Sequence, residues 1–239
     1  MKNSKKVICI IPARGGSKGI KLKNLKLICG KPLISYPIKA AIKSNVCDKI
    51  VVSTDSKKIA NIAKKFGAEV PLLRKKKFAG DRVTTEMTLQ NALKDCEKFY
   101  QTKFDICVFL TCTNIFRQAK WITQAVKILK ENEKIDSAFS VHKFYKHIWH
   151  NKKNKLKKVL PWMNSYTSRQ VAPSLYREDT GLASATLSKF WRNGKRIGKK
   201  VKLIINEDSF TGIDIHSQKD LYLAEMAMKY LKKKKLIDH

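Results

Sequence analysis

Short apolar runs alternate with longer stretches whose apolar residues recur every three or four positions, the pattern of strands alternating with amphipathic helices. Val7–Ile11 is a strand that ends in a glycine- and lysine-rich loop, Pro12 to Asn24. Pro32–Ser44 has helical spacing (Leu33, Tyr36, Pro37, Ala40, Ala41), with its prolines early enough for the first turns. Lys49–Ser53 predicts the next strand, and Ser56 caps a helix through Phe66. Glu69–Leu73 reads as a strand, Arg74–Val83 as a loop, Thr85–Phe99 as a helix and Asp105–Leu110 as a strand. A helix over Arg117–Asn132 and a strand over Asp136–Val141 complete the regular part. Such alternation predicts an α/β fold with a parallel sheet between helices, joined by right-handed crossovers.

The pattern degrades after Val141. Residues 142–180 are polar and aromatic and read as an insertion, in which Lys152–Lys158 carries five lysines in seven residues and suits an exposed hairpin or loop. Leu182–Leu187, Val201–Ile205 and Gly212–Ile215 predict short strands, and a closing helix runs from Ser217. The tail Lys-Lys-Lys-Lys-Leu-Ile-Asp-His is expected to fray. No repeat and no linker rich in Pro, Gly or Ser divides the 239 residues, which implies one domain.

Composition adds a charge question. With 51 Lys+Arg against 19 Asp+Glu the formal charge is +32, which first suggests a nucleic-acid or membrane-surface partner. However, 43 of those cations are lysines scattered along the chain and eight are arginines, the preferred reader of phosphates and bases. A solvated basic surface is therefore the better reading, without a specific nucleic-acid partner. The six cysteines form no CxxC pair, so a reducing cytoplasm fits. Val7 to Ile11 is too short for a signal core, and no stretch approaches the roughly 18 apolar residues of a membrane span.

The most informative chemistry lies in the first strand-to-helix loop, Ile11-Pro-Ala-Arg-Gly-Gly-Ser-Lys-Gly-Ile-Lys-Leu-Lys-Asn24. It follows a strand's carboxyl end, where open α/β sheets bind ligands. Gly15, Gly16 and Gly19 let backbone amides approach an anion, and Arg14, Lys18, Lys21 and Lys23 surround it with cations. Neither the GxxxxGK[ST] nor the GxGxxG spacing is present.

Arg14-Gly-Gly-Ser-Lys-Gly-Ile with Lys23-Asn24-Leu25 resembles the nucleotide-binding loop of the acylneuraminate cytidylyltransferase family. Further pieces match in order: Gly30-Lys-Pro-Leu33, Ile50-Val-Val-Ser-Thr-Asp55, Phe66-Gly67-Ala68, Arg74 with Ala79-Gly-Asp81, Arg169-Gln170 with Tyr176-Arg177, and Ile213-Asp214-Ile215. The resemblance spans roughly residues 6–230. It implies a Rossmann-like three-layer nucleotidyltransferase fold with an inserted dimerisation arm and a homodimer. It also implies transfer of a cytidylyl group from CTP to a sialic acid-like 2-keto-3-deoxy sugar acid. On that resemblance Arg14 and Lys23 act on the triphosphate. Gly15, Gly16, Ser17, Lys18, Asn24, Arg74 and Asp81 complete the nucleotide site, while Thr111, Arg117, Arg169 and Gln170 face the sugar. Asp214 is the expected Mg²⁺ ligand.

Two departures from the family pattern stand out. The usual Asp-x-Asp is Asp214-Ile-His216 here, which leaves the number of metals open and His216 either a ligand or a hydrogen-bonding partner. The usual Leu-Gln-Pro-Thr-Ser-Pro-Leu-Arg reads Leu110-Thr-Cys-Thr-Asn-Ile-Phe-Arg117, which leaves the sugar open. Transfer of guanylyl or another nucleotidyl group to a sugar 1-phosphate is the close alternative, and a non-enzymatic basic nucleic-acid-binding protein the distant one.

Overall fold

The computed structural model describes residues 5–17, 19–165, 168 and 170–236. Strand β1 (Val7–Pro12) leads into two short strands, β2 (Leu27–Ile28) and β3 (Lys31–Pro32), and then into helix α1 (Ser35–Ser44). Next come β4 (Lys49–Ser53), α2 (Lys57–Lys65), α3 (Thr85–Phe99), β5 (Ile106–Phe109) and α4 (Ala119–Glu131). The second half holds β6 (Ser137–Phe144), β7 (Trp149–Lys152), β8 (Lys155–Lys158), β9 (Leu175–Glu178) and β10 (Ser184–Leu187). It ends with α5 (Ser188–Arg192), β11 (Val201–Asn206) and α6 (Gln218–Lys233).

Seven strands form one sheet in the order β11-β6-β10-β5-β1-β4, with β9 paired to β6. β1 runs parallel to β4 and β5, and β6 parallel to β11. The sheet is thus mostly parallel but not wholly so, because β10 is antiparallel to β5 and β6, and β9 to β6. The chain reaches β10 by doubling back from the 142–180 excursion rather than through a crossover helix, so it enters the sheet from the opposite end.

Both faces of the sheet are covered, which explains the uninterrupted apolar runs of β1 and β5. One face packs Ile38, Ile59, Trp121, Ile122 and Val126 against Val7, Cys9 and Ile11. The other packs Leu89, Leu93, Cys96 and Trp191 against Ile8, Ile10 and Cys107. A third cluster binds α6, through Ala224, Met228 and Leu231, to Ile20, Leu33 and Phe116.

Two expected strands are not formed. Glu69–Leu73 touches the sheet only at an isolated Val51↔Glu69 bridge. Glu69 bonds Ile50 and Val52 at 2.8 and 2.9 Å, but Pro71 has no amide with which to continue the ladder. Gly212–Ile215 instead follows a single turn over Ser209–Gly212 and bonds to loops, with the Ile215 amide donating to the Thr113 carbonyl at 3.2 Å. The lysine-rich segment is a hairpin, β7–β8, turned by Lys153 and Asn154 at φ 52° and 61°.

Candidate active site

The chain leaves β1 for β4 on one side and later returns to β5 on the other, so a crevice opens at the carboxyl ends of β1 and β5. A cavity of about 270 Å³ lies there, walled by Arg14, Arg74, Asp81, Thr88, Phe109 and Thr111.

The first loop is pinned at both ends. The Gly15 amide donates to Asp55 Oδ1 at 2.8 Å, and the Asn24 side-chain amide donates to the Arg14 carbonyl at 3.1 Å. Asn24 is buried, and its own carbonyl accepts from the Ile34 amide at 2.9 Å. Asn24 is therefore scaffold for the loop rather than an exposed ligand contact. Between the pins, Gly16 has no atom within 4 Å of where a Cβ would stand, and the Gly16 and Ser17 amides make no hydrogen bond among the described residues. Free amides on an open backbone can receive an anion. Lys18 lies outside the described residues.

Arg14 Nη1 sits 2.7 Å from Asp81 Oδ1, with both groups partly exposed. An exposed pair of this kind contributes only about 0–1 kcal/mol, so a polyphosphate can compete for the guanidinium. Arg74 is held more firmly. Its Nε donates to Ser53 Oγ at 3.1 Å, its Nη2 to the Ser53 carbonyl, and its backbone amide to the Thr54 carbonyl at 2.7 Å. Burial lowers its pKa to about 10, opposed by Asp55, so it stays charged at neutral pH.

Lys23 approaches from the other side of the loop. Its Nζ donates to the Ile215 carbonyl at 2.8 Å, and burial pulls its pKa below the ordinary lysine value, with Asp214 the largest opposing influence. This contact brings the loop to the segment carrying Asp214 and His216. Asp214 Oδ2 lies 2.8 Å from His216 Nε2, and the His216 amide bonds Asp220 Oδ2 at 2.9 Å. Among the described residues no third His, Cys, Asp or Glu joins them in a metal-binding group. The loop docks closely: a Cβ on Gly19 would stand 2.3 Å from the His216 carbonyl oxygen. Gly19→Ala must separate loop and segment, and overpacking of this kind costs about 1–3 kcal/mol. Nucleotide affinity should therefore fall about tenfold or more, and Tm should drop by several degrees, about 2–4 °C per kcal/mol for a chain of this size. Unchanged affinity by calorimetry would show that the docking does not matter to the nucleotide.

The residues expected to face the sugar divide. Thr111 lines the cavity and shares its hydroxyl with Asn114 Oδ1 at 2.6 Å. Arg117 does not reach the cavity. It is 3% exposed and lies beneath, donating from Nε to the Leu182 carbonyl at 2.8 Å and from Nη2 to the Thr111 and Gly181 carbonyls at 2.6 Å each. Nε and Nη2 are given to backbone carbonyls, and Nη1, the one guanidinium nitrogen without a partner among the described residues, is itself buried. Gln170 is exposed and does not line the cavity, and Arg169 lies outside the described residues. Cys112 is a packed thiol, its pKa pushed up to about 12 by burial.

Two groups escaped sequence reasoning. Asp55, the end of the Ser-Thr-Asp stretch, orders the loop through Gly15. Arg196 ties the sheet's antiparallel edge together, bonding Thr180 Oγ1 and Glu178 Oε1 (3.1 Å), with Glu86 Oε1 at 3.5 Å and its guanidinium 6.0 Å from the Phe109 ring centroid. Arg177 forms a two-pronged pair with Asp179, both contacts at 3.0 Å.

A family profile described as cytidylyltransferase matches residues 8–236. The chain belongs to the cytidylyltransferase family, and its fold is that of a nucleotidyltransferase. It is 31% identical over 222 residues to the CMP-N,N'-diacetyllegionaminic acid synthase of Campylobacter jejuni, covering 92% of this chain and 93% of that protein. It is 42% identical over 127 residues to the enzyme of the same name from Legionella pneumophila, a match spanning about half of each, 52% and 53%. Among solved structures, CMP:2-keto-3-deoxy-manno-octonic acid synthetase complexed with CTP superposes with a TM-score of 0.70 over 94% of this chain and 99% of that one. At 14% identity that likeness speaks for the fold.

Proposed function

We propose that this protein transfers a cytidylyl group from CTP to a nonulosonic (sialic acid-like) 2-keto-3-deoxy sugar acid, giving a CMP-sugar and pyrophosphate. The observation that supports the reading is the meeting of Arg14 and Arg74 in the cavity at the carboxyl ends of β1 and β5, with the unbonded Gly16 and Ser17 amides following Arg14 in the loop and Lys23 near enough to feel its charge. Relatives named for making CMP-linked acids support the acceptor class.

The loop amides and Arg14 take the triphosphate oxygens, Arg14 exchanging Asp81 for phosphate. Arg74, fixed by Ser53, stands at the base end of the cavity. Lys23 faces the pyrophosphate as it leaves. An acceptor hydroxyl then attacks the α-phosphorus in line: a new P–O bond forms, the bond from the α-phosphorus to the α,β-bridging oxygen breaks, pyrophosphate leaves with that oxygen, and the hydroxyl proton passes to solvent water. A hard divalent cation keeps several waters and needs only one or two protein carboxylates beside phosphate oxygens. Asp214, partly exposed near Lys23, fits that demand for Mg²⁺, with His216 hydrogen-bonded to it. The cation would neutralise charge on the phosphates.

Incubation with CTP, Mg²⁺ and a panel of nonulosonic acids should release pyrophosphate and yield a CMP-sugar by mass spectrometry. No product from any acid, together with no shift of Tm by CTP, would defeat the reading, whereas a Tm shift by GTP alone would favour the guanylyl alternative.

A homodimer is part of the same proposal. The hairpin β7–β8 forms its own two-stranded sheet, with Trp149 56% and Leu156 67% exposed, apolar surface that a second copy would cover. Light scattering should give twice the monomer mass at micromolar concentration, and a Leu156→Glu variant should shift toward monomer. A monomeric parent protein would remove this part of the reading. The six free thiols suit a reducing cytoplasm.

A further inference from the structure

The nucleotide crevice is not the most capacious cavity in the protein. One of about 770 Å³ opens where α1, the start of α4 and the end of α6 meet, a size typical of sites that enclose small molecules (~300–1,000 Å³). Its walls are mainly apolar: Ala40 and Ile42 from α1, Phe116 and Ala119 at the entry to α4, and Phe210 and Leu231 opposite. Leu236, 64% exposed, extends this surface at the mouth.

The rim, by contrast, is cationic. Lys39, Lys43 and Lys120 stand around the opening. Among the described residues, lysine ion pairs form elsewhere, at Lys49, Lys103, Lys127, Lys189 and Lys229. Lys39 and Lys43 lie four residues apart on α1, so both charges stand on one side of the opening. The first turn of α4 lacks a side-chain cap, so its amides add to the positive field. Asp208 is the acidic residue in the lining, and its carboxylate is occupied by the Phe210 amide at 3.0 Å and the Gln118 side chain at 3.4 Å.

We propose that this cavity binds an anionic amphiphile, with an acyl- or prenyl-type chain against Ile42, Phe116, Phe210 and Leu231 and a phosphate or carboxylate head on Lys39, Lys43 and Lys120. A neutral apolar ligand would leave the rim lysines without an anion, and a fully polar anion would leave the apolar walls wet. The two features together select a molecule that has both ends. The site is separate from the nucleotide crevice yet shares a wall with it, since Arg117 lines the cavity while its guanidinium holds the Thr111 and Gly181 carbonyls on the other side.

Dodecyl phosphate and dodecanol, both below their aggregation limits, are the probes for equilibrium dialysis with the whole chain. Dodecyl phosphate should bind saturably at one site and at least about tenfold more tightly than dodecanol, that is by about 1.4 kcal/mol. Lys43→Glu with Lys120→Glu should remove that preference while dodecanol binding holds, and Ile42→Glu should weaken both probes. The matched charge change in the hairpin, Lys155→Glu with Lys157→Glu, should alter neither. The cavity variants at Ile42, Lys43 and Lys120 should keep cytidylyl transfer unchanged without the probe. Non-saturable uptake, equal loss in the hairpin variant, or binding only to phosphatidylglycerol vesicles and not to monomeric dodecyl phosphate would each overturn the proposal in favour of a general basic surface.

Discussion

Lys23→Ala is expected to lower turnover by about 10²–10³-fold, the size of effect seen when one donor to a developing oxyanion is removed. The stability cost is bounded by one hydrogen bond, from the Lys23 ammonium to the Ile215 carbonyl at 2.8 Å; a bond from a charged donor is worth about 1.5–3 kcal/mol, far less than would unfold the chain but enough to lower Tm by a few degrees. The pyrophosphate gains negative charge as it departs, so an ammonium facing it binds the transition state better than the ground state. Lys157→Ala, on the exposed strand β8, makes the same charge change away from the crevice and should leave turnover intact. Small and equal effects from both substitutions would reduce Lys23 to one more surface lysine.

A pH profile separates this role from simple loop support. Burial lowers the Lys23 pKa in the free protein, so the alkaline limb of kcat/KM, which reports the free enzyme, should start below the ordinary lysine value of about 10.4. Bound triphosphate opposes that shift, because neighbouring negative charge favours the protonated amine. The limb of kcat should therefore lie at higher pH than that of kcat/KM. Lys23→Arg keeps its charge through that range and should move the kcat/KM limb up to that of Arg74, about 10, at whatever reduced rate its planar fork allows.

Much of the sheet was legible because periodicity reports burial. The apolar run of Val7–Ile11 grew by one residue to Pro12, and Thr85–Phe99 was placed at its observed bounds. Ser56 and Ser217 cap α2 and α6 through their side chains, Ser217 in a full capping box with Asp220. The misplaced strands failed for local reasons. Glu69–Leu73 and Gly212–Ile215 have strand-like composition, yet Pro71 breaks one ladder and loop partners claim the other. Strand direction was not readable either, because β10 looks the same in sequence whether it runs parallel or antiparallel.

Much of the candidate site was legible through glycine and asparagine placement in the first loop, and less through the charged residues one by one. A stronger signal lay in composition. Of eight arginines among 43 lysines, Arg14, Arg74, Arg117, Arg177, Arg192 and Arg196 each hold a specific carboxylate, carbonyl or hydroxyl. Where lysine is the default cation, an arginine marks a position that needs the planar fork. That reasoning would have pointed to Arg196, which no motif announced. It would not have told Arg117 from a substrate ligand, since whether a fork meets backbone or ligand depends on the tertiary fold.

We propose that Arg117 acts as a positioning residue, and its substitution should then separate acceptor binding from nucleotide binding. Its guanidinium joins the stretch after β5 to the turn before β10 through the Thr111, Gly181 and Leu182 carbonyls. The turn is tight, because a Cβ on Gly181 would stand 2.5 Å from Asn114 Oδ1 and 2.7 Å from Thr111 Oγ1. Arg117→Leu orphans the buried Leu182 carbonyl at about 1–3 kcal/mol and strips a partner from the part-buried Thr111 carbonyl, so it should lower Tm strongly and is a poor probe of function. Arg117→Lys keeps a charge and one or two of the bonds but cannot span all three carbonyls. It should fold, hold its KM for CTP within about twofold, and raise the KM of the acceptor acid about tenfold, a loss of about 1.4 kcal/mol. Nη1, buried without a partner among the described residues, has no bond to lose in the exchange. A lower Tm with both KM values unchanged would mean that Arg117 only braces the fold. A rise confined to the acceptor would mean that its three carbonyls set the shape in which the acid is held.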